Sequence, residues 1–217
     1  CDPTRPVGFV NVTFATPDED KITDLFDVIM INRYNGWYFQ TGDLVSAEQT
    51  MSEELAGWEK YGKPIIYTEF GADTVAGLHS VYNQPFTEDF QVAYLEMCAK
   101  VFDSSRWVVG EQMWNFADFQ TKYGYARVDG NKKGAFTRDR RPKAAARYLR
   151  NRWTAKDEAA YGRRDWRIRE RGCPRARSRH RPGSSSPLTT VPVRRDWRTV
   201  TDVAVGRCAA PQTDLTH

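Results

Sequence analysis

The 217-residue sequence is poor in the features that mark several common classes of protein. Its four cysteines lie far apart without metal-ligand spacing, so we expect neither a metal site nor a disulfide framework. No apolar stretch is long enough to cross a membrane and no signal segment is recognisable, so we expect no membrane partner. No Gly-rich phosphate loop follows a strand-like segment, which argues against a nucleotide-binding sheet.

Lysine, phenylalanine and tyrosine are all missing from residues 163–217, where 13 arginines stand against five acidic residues. This composition cannot bury enough apolar surface to offset chain entropy, so we predict a disordered basic tail after a domain spanning residues 1–162. An arginine-rich arm that binds nucleic acid is the alternative. We favour an extension without function, because no interleaved aromatic residues or basic helical face support binding. The chain opens on cysteine rather than methionine, which predicts a piece of a longer protein.

Strand-like and helix-like segments alternate through residues 1–162. A capping box at Ser46 and Gln49 predicts where the first helix begins. The predicted strands are 7–12, 27–32, 63–71 and 107–114, and the predicted helices are 46–61, 87–102 and 142–153. This order predicts an α/β fold with a parallel sheet. Four strands in about 160 residues suit half of a (β/α)8 barrel, with an open doubly wound sheet as the competing architecture.

Polar and aromatic residues collect at the predicted strand ends, where parallel α/β folds place their sites. The run 63–71 stops at Glu69, and Gly71 then lets the backbone turn away. An acid at a strand end is equally ordinary turn chemistry. Aromatic rings beside carboxylates and amides are nevertheless what a sugar site needs, because rings cover the apolar face of a sugar and polar groups bind its hydroxyls.

Four segments, 25–38, 64–74, 108–119 and 130–138, together resemble the C-terminal half of the bacterial β-glucuronidases of glycoside hydrolase family 2. The resemblance covers residues 2 to about 154. It implies a partial (β/α)8 TIM barrel made of strands five to eight, and hydrolysis of a small-molecule β-D-glucuronide with retention of configuration. It further implies no cofactor, a homo-oligomer for the full-length protein and a cytoplasmic location.

The same resemblance implies the roles of individual residues. Glu69 matches the nucleophile, and Asn131 and Lys133 match an Asn-x-Lys pair that binds the substrate carboxylate. A lysine suits that role because it supplies a compact positive charge. The remaining residues that match the family's sugar pocket are Asn32, Tyr34, Tyr38, Trp114 and Arg127. Phe70 departs from the pattern, since the family usually has tyrosine there, and the change removes a hydroxyl expected to steady Glu69.

The acid/base glutamate of the family lies in an Asn-Glu-Pro motif, which this sequence lacks. Retaining glycosidases need two carboxyl groups about 5 Å apart, so we expect the chain to be inactive alone. Glu111 is the alternative partner for Glu69, but its position within a strand predicts that it packs or hydrogen-bonds inside the barrel. Two other functions stay open: a β-galactosidase-type enzyme of the same family, and a non-catalytic fragment whose basic tail binds an acidic partner.

Overall fold

A computed structural model of the protein describes residues 5–124 and 127–156. The elements follow the predicted alternation, with a 3-10 turn at Thr23–Leu25. The strands are β1 (Gly8–Asn11), β2 (Val28–Asn32), β3 (Ile65–Glu69) and β4 (Val108–Glu111), and the helices are α1 (Leu44–Glu59), α2 (Glu88–Ser104) and α3 (Ala144–Ala155). The predicted tail (163–217) and the boundary at residue 162 lie outside the described residues.

The four strands form one parallel sheet in the order β1-β2-β3-β4. Neighbours in sequence are therefore neighbours in space, as in one half of a singly wound barrel. A doubly wound sheet would instead reverse its strand order part-way across. The predicted parallel α/β fold is confirmed, and β1 and β4 form the two edges of the sheet.

The hydrophobic core lies between the sheet and its helices. Ile31 and Tyr67 point from the strands into this layer, where Trp58 of α1, Phe102 of α2 and Leu149 of α3 are also buried. The rings of Tyr67 and Phe102 have centroids 4.1 Å apart. Alternate strand residues face the opposite side of the sheet, where a Cβ at Gly110 would stand 3.2 Å from Ile66. The helix-facing side of the sheet therefore carries the core.

The predicted capping box at the start of α1 is wrong. The helix begins two residues earlier, and Asp43 accepts a hydrogen bond from the backbone N–H of Ser46 at 3.0 Å. The Ser46 hydroxyl itself donates to Asp43, while Gln49 bonds forward to Glu53. A carboxylate accepts two such bonds at once and suits the positive end of the helix, so Asp43 is the better cap.

The start of α2 agrees with the predicted start within one residue, and α3 begins two residues after the predicted one. Thr87 caps α2 by accepting from the Phe90 N–H at 3.1 Å. At α3 the first backbone N–H, that of Ala144, donates to Glu88 at 2.6 Å, so a residue of α2 caps the last helix. None of the described helices combines the length and apolar character needed to cross a membrane.

Candidate active site

Glu69 lies at the carboxyl end of β3, half-buried. Ile31 pairs with Tyr67 but Asn32 pairs with Glu69, so β3 carries one extra residue at Thr68. Strict alternation from Tyr67 would turn Glu69 towards the helices. The extra residue re-aims it, as bulges commonly do, and Phe70 takes the helix-facing place with its ring 4.9 Å from that of Phe102.

The hydroxyl that steadies Glu69 comes from Tyr34, in the loop after β2. Tyr34 Oη donates to Glu69 Oε2 at 2.8 Å, and burial together with this bond raises the pKa of Tyr34. The substitution at Phe70 therefore leaves the carboxylate with a phenol partner. Asn32, also predicted for the site, accepts from the Thr68 hydroxyl at 2.6 Å and ties the ends of β2 and β3 together.

A second cluster gathers two cations around Tyr38. Its hydroxyl accepts from Lys133 Nζ at 2.9 Å and from Arg127 Nη2 at 2.7 Å. Lys133 Nζ also lies over three aromatic rings, 4.7 Å from the centroid of Tyr38, 5.3 Å from Trp37 and 5.8 Å from Tyr34. Such rings hold a cation by their negative faces. Three residues predicted for the site thus lie in direct contact.

Asp73, for which the sequence predicted no role, holds the same two cations. One carboxylate oxygen accepts from Arg127 Nη1 at 3.0 Å and forms a buried ion pair with Lys133 Nζ. The other accepts from the Lys132 N–H at 2.7 Å. Asp73 and Lys133 are both 0% exposed at their side chains. Desolvation acts to lower the pKa of Arg127, but the hydrogen bond to Tyr38 and the charge of Asp73 outweigh it and raise the pKa.

Further polar contacts, made by Asn131, Asp118 and Lys143, hold the loop that carries Lys133. The Asn131 side-chain oxygen accepts from the Lys133 N–H at 3.1 Å, and Asp118 accepts from the Gly134 N–H at 3.0 Å. Lys143, at the start of α3, donates to Asp118 at 2.8 Å and to the Lys132 carbonyl at 2.9 Å. Burial raises the pKa of Asp118 and lowers that of Lys143. The loop is therefore held in one conformation.

Trp114 and Gly71 set the spacing between β3 and the chain after β4. Trp114 is half-buried, donates its backbone N–H to the Phe70 carbonyl at 2.9 Å, and packs edge-on against Phe119. A Cβ on Gly71 would stand 2.1 Å from the Trp114 carbonyl oxygen. Glycine is required here for close backbone approach, and Gly71 is absent from the glycines with positive φ. The sequence predicted that Gly71 lets the backbone turn away after Glu69, and β3 does end at Glu69.

Glu111 has a largely buried and hydrogen-bonded side chain, as the sequence predicted, but it lies on the helix-facing side of the sheet, so the predicted place inside the barrel is wrong. It pairs with Tyr67 across a register shift between β3 and β4, so it shares the helix-facing side of the sheet with Tyr67. Arg152 donates to both of its oxygens, at 2.8 and 2.7 Å, and Trp153 and Lys156 add 2.6 and 3.2 Å bonds. Glu111 is consequently a structural acid between β4 and α3.

Residues 1–157 match the description "Glycosyl hydrolases family 2, TIM barrel domain". The chain belongs to this family. The predicted partial TIM barrel is thereby confirmed, since the matched segment holds four parallel strands of a fold built from eight.

Three proteins similar to this family 2 chain share one name, β-glucuronidase. It is 52% identical over 151 residues to a β-glucuronidase of Streptococcus agalactiae, an alignment that covers 69% of this chain and 25% of the relative. A Homo sapiens β-glucuronidase is 45% identical over 165 residues, covering 74% and 25%. A solved Ruminococcus gnavus β-glucuronidase in complex with uronic deoxynojirimycin has a TM-score of 0.67 at 46% identity, covering 69% and 26%. The chain spans about a quarter of the length of the relatives it matches.

The sequence predicted most of the side chains that the family 2 fold brings together, and it missed their supports. Glu69 contacts Tyr34, while Tyr38, Arg127 and Lys133 form one cluster. Asn32, Asn131 and Trp114 instead make contacts that fix the surrounding loops. The supports that sequence reasoning missed are Asp73, Thr68, Asp118 and Lys143. Each of these residues supports the site through a contact with a residue distant in the sequence or through a strand irregularity. Neither feature produces a local pattern in the sequence.

Proposed function

We propose that this chain forms the C-terminal half of the catalytic barrel of a retaining β-glucuronidase, with residues 1–162 as the barrel segment. The observation that carries the proposal is one continuous contact path from an acid to a pair of cations. Tyr34 bonds Glu69, Tyr38 bonds Lys133 and Arg127, and the two tyrosine rings lie 4.9 Å apart. In a glucuronide the anomeric carbon needs the acid and the carboxylate needs the cations. These two groups of the protein must therefore lie close together.

Glu69 is the proposed nucleophile. One of its oxygens bonds to the anomeric carbon while the glycosidic C–O bond breaks, and a carboxylic acid protonates the departing oxygen. Water then attacks the same carbon while the conjugate base of that acid takes its proton, the Glu69–carbon bond breaks, and the sugar leaves with its original configuration. Tyr34 holds Glu69 in place before attack, because its hydroxyl donates to one carboxylate oxygen.

The protonating acid is the part of this mechanism that the chain does not supply in our proposal. Glu111 is bound by Arg152, Trp153 and Lys156 on the helix side of the sheet, so it is a poor candidate. The sequence contains no Asn-Glu-Pro motif. We therefore assign protonation to a barrel strand outside these 217 residues and expect the chain alone to be inactive. The homo-oligomeric state and cytoplasmic location remain predictions from the resemblance.

Lys133 and Arg127 are the proposed binding groups for the substrate carboxylate. Lys133 is buried and Arg127 half-buried, and both donate to the Tyr38 hydroxyl. A neutral sugar carries no charge that these cations could bind, whereas the carboxylate of a uronic acid can form charge-assisted hydrogen bonds with them. The similar R. gnavus β-glucuronidase was solved with a uronic ligand, which supports the same substrate class here. Asn131 supports this cluster by fixing the backbone of Lys133.

The test is Glu69→Gln in a protein that carries these residues within a complete barrel. Hydrolysis of an aryl β-glucuronide should be abolished, while the matched variant Glu111→Gln should keep hydrolysis at temperatures where it remains folded. Activity retained in Glu69→Gln would refute the assignment of the nucleophile.

A β-galactosidase-type activity is the second candidate, and Lys133→Ala separates it from the first. In a β-glucuronidase this variant should lose far more activity on the glucuronide than on the matching galactoside. Equal losses on the two substrates would contradict carboxylate binding by Lys133 and favour the second candidate.

A further inference from the structure

Asp73 is the one carboxylate that contacts both cations of the cluster among the described residues. It lies four residues after Glu69, and a single oxygen is shared between Lys133 Nζ and Arg127 Nη1. Two positive groups brought to the same point repel each other, and the repulsion is strong where water is excluded. A shared carboxylate between them removes that cost and fixes both donors in direction.

The backbone holds Asp73 in this position independently of any ligand. Thr74 donates its N–H to the Lys132 carbonyl at 3.0 Å, and Lys132 donates its own N–H to Asp73 at 2.7 Å. These two bonds join the loop after β3 to the loop that carries Lys133. The Lys143 ammonium reinforces the junction by donating to the carbonyls of both Thr74 and Lys132, at 3.0 and 2.9 Å.

We propose that Asp73 is a positioning residue that determines the preference for a carboxylate-bearing sugar. It holds Lys133 and Arg127 together beside the Tyr38 hydroxyl, so that the two cations meet a sugar carboxylate already aligned. This inference rests on the proposed function, because it presumes that the cluster binds a uronic acid. Asp73 itself acts through the cations and takes no part in bond making.

The experiment compares D-glucuronate with D-glucuronamide, which has the same shape without the charge. Both are titrated into the ¹⁵N-labelled full chain, and the affinity ratio is read from backbone chemical shifts. The wild-type chain should favour glucuronate about tenfold or more, as expected for a charge-assisted bond. In Asp73→Asn the ratio should fall at least about fivefold.

The direction of the change separates positioning from simple charge. If only charge mattered, a cluster without the Asp73 anion would attract glucuronate more strongly. The affinity for glucuronate relative to glucuronamide would then rise. A ratio that is unchanged or raised in Asp73→Asn therefore overturns the proposal. A wild-type chain that shows no preference for glucuronate refutes the proposed function instead, so the two failures are distinguishable.

Asp118→Asn is the matched control, since Asp118 is another buried acid paired with a lysine in the same region. It should weaken both ligands to a similar extent and leave the ratio near the wild-type value. If Asp73→Asn does not fold, the double variant Asp73→Asn/Arg127→Gln is compared with Arg127→Gln alone. The double variant keeps the net charge of the cluster and avoids the repulsion between two cations. Its ratio should still be the lower of the two, and equal ratios would overturn the proposal.

Discussion

Arg152→Met tests whether Glu111 is the structural acid that its contacts indicate. Arg152 donates two hydrogen bonds to Glu111 and two to Asp103, so it joins α3 to both β4 and α2. Methionine keeps much of the side-chain length but removes every one of these donors. Glu111 would then retain only Trp153 and Lys156 in a setting where its side chain is 8% exposed.

The expected cost follows from how much of the pair is buried. Breaking a fully buried ion pair costs about 3–5 kcal/mol, because the remaining charge stays desolvated. The Arg152 side chain is 12% exposed and Lys156 still contacts Glu111, which reduces the loss. We expect a decrease in the free energy of unfolding of about 2–4 kcal/mol. This corresponds to a melting temperature lower by roughly 5–15 °C for a chain of this size.

Urea unfolding of the wild type, Arg152→Met and Asp103→Asn at pH 7 provides the measurement. Asp103 is 56% exposed, so loss of its pair with Arg152 should cost less than about 1 kcal/mol. A result for Arg152→Met within about 0.5 kcal/mol of the wild type would refute the reasoning. So would an equal cost for Asp103→Asn.

The pH dependence gives a second check on the same pair. Burial acts to raise the pKa of Glu111, but the Arg152 hydrogen bond and the charge of Lys156 outweigh it and lower the pKa. A lowered folded-state pKa gives stability that is present above the ordinary glutamate value of about 4.3. That stability is lost as the pH falls through the lowered value. The difference between the wild type and Arg152→Met should therefore be full at neutral pH and shrink in acid.

Three further predictions concern the loops and helix ends. Asp43→Ala should cost about 1 kcal/mol in urea unfolding through loss of the α1 cap, whereas Ser46→Ala should cost less, because Ser46 is not the cap. Lys143→Met should cost about 3 kcal/mol or more by leaving Asp118 buried without its ammonium partner, and pairing it with Asp118→Asn should recover part of the loss. Gly71→Ala should cost more than about 1 kcal/mol, since its Cβ would meet the Trp114 carbonyl. A Gly71→Ala melting temperature equal to that of the wild type would contradict this close approach.

The order and type of the elements were predictable because each rests on a local pattern. Continuous apolar runs marked β2 and β3, and helical spacing marked α1 and α2. The strands in the structure are shorter than the apolar runs, since pairing ends where the chain leaves the sheet. The start of α1 was misplaced because Leu44 and Val45 continue the helix towards Asp43, and a capping box that begins three residues after Asp43 looks equally good in sequence.

The orientation of the two strand-end glutamates was not predictable from alternation. Glu69 lies directly after a register shift between β2 and β3, and Glu111 follows a register shift between β3 and β4 that falls at Val109. Such shifts depend on how two strands meet, and neither strand carries a local signal for them. Asp73 was missed for a related reason, because its partner Lys133 is 60 residues away in the chain. The resemblance to a family placed Lys133 in the site, but only the packed loops reveal which anion holds it there.

The loop after β2 links the two ends of the proposed substrate through a single turn of backbone. The N–H groups of Trp37 and Tyr38 both donate to the Tyr34 carbonyl at 3.0 Å, so the two tyrosines are held on one turn. Tyr34 then fixes Glu69 and Tyr38 fixes the cations. In a glucuronide the anomeric carbon and the carbon that carries the carboxylate are both bonded to the ring oxygen. Under the proposed function, a rigid turn that spaces the nucleophile from the cation pair selects for the position of the charge on the sugar as well as for its presence. A carboxylate attached elsewhere on the ring could reach Lys133 only by drawing the anomeric carbon away from Glu69.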